Sequence, residues 1–165
     1  VASSLEKFKM LEIAFKDFKE IEIEDYELMK EGPSFMIETL QYLDKKLGKK
    51  KHFLLIIGED SFQSFHRWKN YQNIIKMTSL LVMNRPGLKN DLTTKAIELH
   101  LECIENTYVD NYFKKGKIYF IKIKPHPASS THIRENIDDH SVLSEGLDDD
   151  VLKYLKEHKI YNKDD

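Results

Sequence analysis

Phe53-Leu54-Leu55-Ile56-Ile57-Gly58-Glu59-Asp60, with the only tryptophan, Trp68, a short way beyond, decides how this chain is read. Five apolar residues in succession, without alternation, predict a strand covered on both faces in a parallel sheet. The run stops at a glycine and a carboxylate follows. A second apolar run, Leu80-Leu81-Val82-Met83, stops in the same way at Asn84-Arg85-Pro86-Gly87. Two strands that end in polar, glycine-bearing loops define one working edge, because ligands of open α/β sheets bind beyond the carboxyl ends of the strands.

The neighbouring segments extend this pattern. Residues 3–18 have mostly helical spacing of Leu5, Phe8, Leu11, Ile13, Ala14, Phe15 and Phe18, with Ser3 or Ser4 and Glu6 or Lys7 at the start. Ile21 and Ile23 alternate with glutamates and predict a short strand. Gly32-Pro33 breaks the chain, Ser34 is placed to cap a helix, and Gly48 ends it. Ile37, Leu40, Tyr42, Leu43 and Leu47 form that helix's apolar side. Short helices are expected over 61–76 and an amphipathic helix over 92–105, which includes Cys103. A strand is expected over 117–121, a helix from Ala128-Ser129-Ser130-Thr131 through Ile137, and a last helix over 148–158 with Ile160 and Tyr161 packing back. Alternating helix and strand predict a doubly wound α/β sheet.

Composition narrows the function classes. The chain has 165 residues, 41% of them hydrophobic and 33% charged, the balance of a soluble globular domain. A chain of this length buries roughly 70% of its unfolded surface. The net charge of −2 supplies no bulk attraction to nucleic acid or to a membrane. A single cysteine allows no internal disulfide. No apolar run approaches the ~20 residues of a membrane span and no signal peptide is visible, which makes a cytoplasmic location the default.

Several residues are placed for chemistry. Past a strand end, Asp60 could accept both hydrogen bonds of a ribose diol, with the Gly58 amide open to close approach. The same position serves equally as an N-cap for a helix over 61–66. Trp68 could stack an aromatic heterocycle, worth about 1–3 kcal/mol by analogy with base stacking, although core packing is the commoner role of a lone tryptophan. Ser129-Ser130-Thr131-His132-Ile133-Arg134 places hydroxyls at a helix start and a guanidinium on its first turns, a combination that fits phosphate oxygens. An ordinary cap with a surface arginine has the same sequence. The seven histidines form no metal-spaced pair, and no Walker loop, GxGxxG or Gly-x-Ser-x-Gly elbow is present.

The ordered set Gly-Pro-Ser-Phe-Met-Ile-Glu-Thr-Leu (32–40), Gly-Glu-Asp (58–60), Trp68, Asn-Arg-Pro-Gly (84–87), Ser-Ser-Thr-His-Ile-Arg (129–134) and Val151 through Tyr161 resembles the bacterial nicotinate-nucleotide adenylyltransferases. These belong to the nucleotidyltransferase α/β phosphodiesterases. The resemblance implies that Gly58 and Asp60 hold the adenosine ribose, and that the loop containing Arg85 borders the adenine. It puts Ser130, Thr131 and Arg134 on the ATP phosphates, Arg134 being the catalytic charge. It puts Trp68 on the pyridine ring, with Lys69 lending its backbone to the ring's carboxylate. The family's Ser-Tyr-Thr pattern falls on Ser34-Phe35-Met36, so two hydroxyls near the ring substituent are replaced by Phe35 and Met36.

The implied reaction transfers the adenylyl group of ATP, with Mg²⁺, to nicotinate mononucleotide. Nicotinamide mononucleotide or another phosphorylated acceptor stays open as the substrate, as does a binding module without turnover. A homo-oligomer is compatible with the reading. The implied fold is a Rossmann-like, doubly wound parallel sheet in a single domain over residues 1–165. The family's first strand and its Gly-x-Phe-Asp-Pro-x-His-x-Gly-His loop have no counterpart in the sequence. The domain is therefore expected to be N-terminally incomplete, its activity to depend on an upstream segment, and Phe53–Ile57 to expose apolar surface at an unpaired edge.

Overall fold

The computed structural model describes residues 2–48, 51–83, 102–104, 114–121, 123–124, 130–137 and 146–161, with 102–104 and His132 described by backbone alone. The chain divides into two compact units, Gly32–Pro125 and a second unit made of Val1–Glu31 with His126–Asp165.

The first of these holds the sheet. Helix α2 (Met36–Leu47) leads to β1 (Phe53–Gly58), α3 (Glu59–Gln63), a 3-10 turn (Phe65–Arg67), α4 (Tyr71–Met77) and β2 (Thr78–Met83). Strands β3 (Glu102–Ile104) and β4 (Lys117–Ile121) follow. All four strands are parallel, in the order β1-β2-β4-β3. The register pairs Gly58 with Met83 and Met83 with Ile121, so the carboxyl ends of three strands finish side by side. The expectation of one working edge is met in this unit.

Burial explains why these strands form. In β2, Thr78, Ser79, Leu80 and Val82 are buried, as a central strand requires. Leu80, Val82, Ile57 and Ile118 from the sheet pack with Ile37 and Leu40 of α2, Phe62 of α3, Phe65, and Ile74 and Ile75 of α4. Strand β1 differs from the expectation of two covered faces. Among the described residues it pairs only with β2, and Ile56 is 54% exposed. The apolar run does form a strand, but nothing described here covers the Ile56 side.

Three other expectations are corrected. Helix α2 is capped at Phe35, not Ser34, and the N-cap side chain makes no capping hydrogen bond. Ser34 lies one residue too early to be the cap. The C-terminal stop does hold, since Gly48 takes φ +84°, a conformation costly for any residue with a Cβ. Ile21 and Ile23 form no strand; residues 21–25 lack regular structure and Ile21 is 44% exposed. Among the described residues no strand pairs with it, and alternation alone cannot hold an extended segment. Finally, Glu102–Ile104 is a strand paired with Lys117–Tyr119, not the end of a helix, so Cys103 sits in the sheet. The remainder of the 92–105 expectation lies outside the described residues.

The other unit joins the two ends of the chain. Helix α1 (Ser4–Ala14) begins with a capping box, in which Ser3 and Glu6 satisfy each other's backbone amides. Helix α5 (Ser130–Glu135) and α6 (Asp149–Glu157) complete it. Asp148 caps α6 by accepting from the amides of Asp150 and Val151. Ala2, Ile137, Val151, Leu155 and Ile160 form this unit's core, with Met10, Ile13 and Ala14 of α1 packed on it. Ile160 and Tyr161 do pack back, as expected. Lys16 and Asp150 pair across the unit.

Candidate active site

The carboxyl end of β1 delivers the first group of site residues. Gly58 closes the strand and stands at the N-cap of α3, with φ −77° and ψ 161°. That backbone is open to any residue, so the glycine is not required by conformation. A Cβ at position 58 would stand 2.6 Å from Asp60 Oδ1, so a side chain there would make the exposed Asp60 carboxylate shift. Asp60 lies in the first turn of α3 and is exposed at the sheet edge. The helix starts at Glu59, one residue before Asp60, so Asp60 is not its N-cap. Of the two readings of this carboxylate, capping is excluded by the helix boundary. Glu59, which sequence reasoning passed over, is 2% exposed. No periodicity marked it: a carboxylate in the first turn of a helix is ordinary, but its burial is rare for glutamate.

Trp68 follows the 3-10 turn in extended conformation. Its amide donates to the Phe65 carbonyl at 3.0 Å and its own carbonyl accepts from the Tyr71 amide at 3.2 Å, so the backbone is held at both ends. The indole packs at 5.2 Å from the Phe65 ring, tilted by 53°, and is partly exposed. Packing and ligand contact are therefore not exclusive: Phe65 supports the ring and part of its surface stays open to solvent. Asn70 takes the left-handed conformation (φ 53°) that turns the chain into α4, a role asparagine fills better than most residues.

Phe35, Met36, Trp68 and Lys69 are brought together in this unit. Phe35, Met36 and Trp68 all pack against the same core. The Lys69 Nζ donates to Glu38 Oε1 at 2.8 Å and lies 4.2 Å from the centre of the Phe35 ring. The side chain of Lys69, and not only its backbone, thus reaches the start of α2.

Ser130, Thr131 and Arg134 are brought together in the other unit. Arg134 folds back over the first turn of α5, its Nε donating to the Ser130 carbonyl at 3.0 Å and its Nη2 to Thr131 Oγ1 at 3.4 Å. The guanidinium also stands 5.9 Å from the Tyr161 ring centre. All three residues are exposed. Arg85, with the Asn84–Gly87 loop, and Ser129 lie outside the described residues.

One serine–histidine contact is structural. His52 Nε2 is 2.9 Å from Ser79 Oγ, and Ser79 Oγ donates to the Lys114 carbonyl at 2.5 Å. With its proton committed to that carbonyl, the hydroxyl accepts from His52 and cannot give a proton to it, as a nucleophile would. The pair also lies at the amino end of the sheet, since Ser79 pairs with Leu54, opposite the edge formed by Gly58 and Met83.

Among the described residues no three His, Cys, Asp or Glu side chains come together to hold a metal ion. No helix among them is long and apolar enough to cross a membrane.

The cytidylyltransferase-like family model matches residues 1–136. A protein of Cronobacter sakazakii named probable nicotinate-nucleotide adenylyltransferase is 30% identical over 162 residues, which cover 97% of this chain and 74% of that protein. One of the same name from Aquifex aeolicus is 34% identical over 116 residues, covering 70% of this chain and 67% of its own. The solved structure of the Plasmodium falciparum nicotinic acid mononucleotide adenylyltransferase, complexed with APC, superposes with a TM-score of 0.65 at 15% identity. It covers 98% of this chain and 77% of its own, and shares the fold. The chain belongs to the cytidylyltransferase-like family, in the group that holds the bacterial nicotinate-nucleotide adenylyltransferases.

Proposed function

We propose that this protein is an enzyme that transfers the adenylyl group of ATP to nicotinate mononucleotide, giving nicotinate adenine dinucleotide and pyrophosphate. One observation carries the reading. The carboxyl end of β1 presents Gly58 and Asp60 at a strand-end edge, in a chain about 30% identical over almost its whole length to proteins named for this reaction. Asp60 is assigned to the ribose of ATP, Trp68 to the pyridine ring, and Phe35, Met36 and Lys69 to the surroundings of the ring's substituent. Ser130, Thr131 and Arg134 are assigned to the phosphates, and Arg85 to the adenine side.

The chemistry asks little of these side chains beyond position and charge. A phosphate oxygen of the mononucleotide attacks the α-phosphorus of ATP; the new P–O bond forms as the bond to the β-phosphate's bridging oxygen breaks, and pyrophosphate departs. The nucleophile is already anionic at neutral pH, so no general base is needed. Arg134 neutralises charge that grows on the phosphates, and the remaining catalysis is alignment of the two substrates. Magnesium enters with ATP as part of the substrate, and no step is assigned to a protein-bound metal. The reading goes with a cytoplasmic location.

The test is steady-state turnover of ATP with nicotinate mononucleotide, nicotinamide mononucleotide and a phosphorylated acceptor lacking a pyridine ring. Formation of dinucleotide and pyrophosphate in equal amounts with a pyridine mononucleotide is the expected result. Turnover only with the non-pyridine acceptor would overturn the substrate assignment, and binding without turnover would reduce the protein to a nucleotide-binding module.

A further inference from the structure

We propose that Tyr161 is a positioning residue for the phosphate-binding charge, its ring holding the Arg134 guanidinium over the first turn of α5. The inference rests on the assignment of Arg134 to the ATP phosphates made above and deepens it.

The turn after α6 brings the ring to this place. His158 is the C-cap of α6, and Lys159 follows in the left-handed conformation with φ 51°. The Lys159 amide donates to the Lys156 carbonyl at 3.2 Å and the Ile160 amide to the Leu155 carbonyl at 2.9 Å. That pair of bonds reverses a chain at the end of a helix. The reversal carries Ile160 into the core that holds Leu155, where both are buried. Tyr161 comes next and again takes a positive φ, 67°. Glycine adopts this conformation freely, whereas a residue with a Cβ is strained in it. An aromatic residue stands there all the same. Its side chain is partly buried and packs on the cluster to which Ile137 belongs. Ile137 lies just past α5, so the ring and the helix that carries Arg134 are seated on one core.

An exposed arginine ordinarily samples many rotamers, and ordering it costs entropy. Three contacts converge on Arg134. Nε donates to the Ser130 carbonyl at 3.0 Å, Nη2 donates to Thr131 Oγ1 at 3.4 Å, and Cζ stands 5.9 Å from the centre of the Tyr161 ring. The two hydrogen bonds come from α5 itself, and the one to Thr131 is long for an N–H···O bond. The ring comes from another part of the chain, and its negative face attracts the cation. Tyr161 therefore acts on the reaction through Arg134. A guanidinium already in place neutralises charge growing on the phosphates without first giving up rotamer freedom.

The test is a double-mutant cycle read in steady-state kinetics with ATP and nicotinate mononucleotide. Tyr161→Leu keeps an apolar side chain but has no ring, and is expected to lower kcat/KM for ATP roughly five-fold, the scale of one exposed cation–π contact. The KM for nicotinate mononucleotide should stay within two-fold. Tyr161→Phe keeps the ring face and is expected to recover most of the loss. In an Arg134→Gln background, Tyr161→Leu should cost nothing further. Phenylalanines with progressively fluorinated rings at position 161 keep nearly the same shape while the ring face loses its negative charge, so they separate attraction from packing even if Tyr161→Leu does not fold. They are expected to lower kcat/KM for ATP step by step with Arg134 present and to leave it flat in Arg134→Gln. The same loss in both backgrounds, no recovery in Tyr161→Phe, or indifference to fluorination would overturn the role of Tyr161 while leaving adenylyl transfer standing. Failure of the unaltered protein to transfer an adenylyl group would overturn the function and this inference together.

Discussion

Asp60 Oδ1 occupies the space that a side chain on Gly58 would need, 2.6 Å from where its Cβ would stand. The backbone of the glycine at the end of β1 is ordinary, and what a side chain there would disturb is the carboxylate two residues on. Gly58→Ala is accordingly expected to fold, because no strained conformation is involved, yet to push the Asp60 carboxylate off its position. The KM for ATP should rise by roughly ten-fold or more, the scale of losing a pair of hydrogen bonds to a charged acceptor. Asp60→Asn should show a similar rise. Steady-state kinetics with each substrate varied in turn checks both.

Trp68 rests on Phe65 with a ring separation of 5.2 Å and keeps an open portion. Trp68→Ala should raise the KM for the pyridine mononucleotide well above any change in the KM for ATP, by roughly the 5- to 150-fold that about 1–3 kcal/mol of stacking represents. Trp68→Phe, which retains the packing on Phe65 and a smaller aromatic face, should fall between. An increase confined to ATP would contradict the assignment.

Ser79 joins three segments by bonding His52 and the Lys114 carbonyl from a fully buried position. Ser79→Ala leaves the carbonyl and the imidazole without that partner and should cost about 1–3 kcal/mol in unfolding free energy. Because the contact lies at the amino end of the sheet, kcat at saturating substrate should stay within two-fold. A large fall in kcat with intact stability would mean that the pair has a chemical role.

Lys16 and Asp150 pair across the unit made by the two chain ends. The hydrogen bond from Lys16, with its charge, holds the Asp150 carboxyl below its ordinary 3.8, and the bond to Asp150, with its charge, lifts Lys16 above its ordinary 10.5. Stability from Asp150 is therefore present above pH 3.8 and lost as the pH falls through its lowered value. Stability from Lys16 is present below pH 10.5 and lost as the pH climbs through its raised value. The pair is exposed, so the effect should be small and should fade with salt. Thermal unfolding from acid to alkaline pH should show Asp150→Asn losing the part of both flanks that this pair contributes, in low salt more than in high.

The sheet was largely legible in the sequence, because Phe53–Ile57, Leu80–Met83 and Lys117–Ile121 carry apolar runs too short for helices and end in turn residues. The capping serine of α1 and the glycine stop of α2 were legible for the same reason, being local chemistry. What failed was whatever depends on a distant partner. Ile21 and Ile23 alternate correctly but have no strand beside them among the described residues, and Glu102–Ile104 reads as helix yet pairs with β4. Ile56 is as apolar as its neighbours, and its exposure follows from β1 having a single partner among the described residues. At the site, Asp60 and Trp68 stood out because a lone tryptophan and a strand-end carboxylate are rare. The Lys69–Glu38 pair did not, since its members are 31 residues apart and each resembles a solvated surface charge.

Supplying ATP labelled at its α-phosphate together with nicotinate mononucleotide tests the central claim most directly. The account predicts that the label enters a dinucleotide in step with the release of unlabelled pyrophosphate, and that neither product forms when the mononucleotide is left out. Label recovered only in ADP or AMP, with no labelled dinucleotide, would contradict adenylyl transfer as the function of this protein.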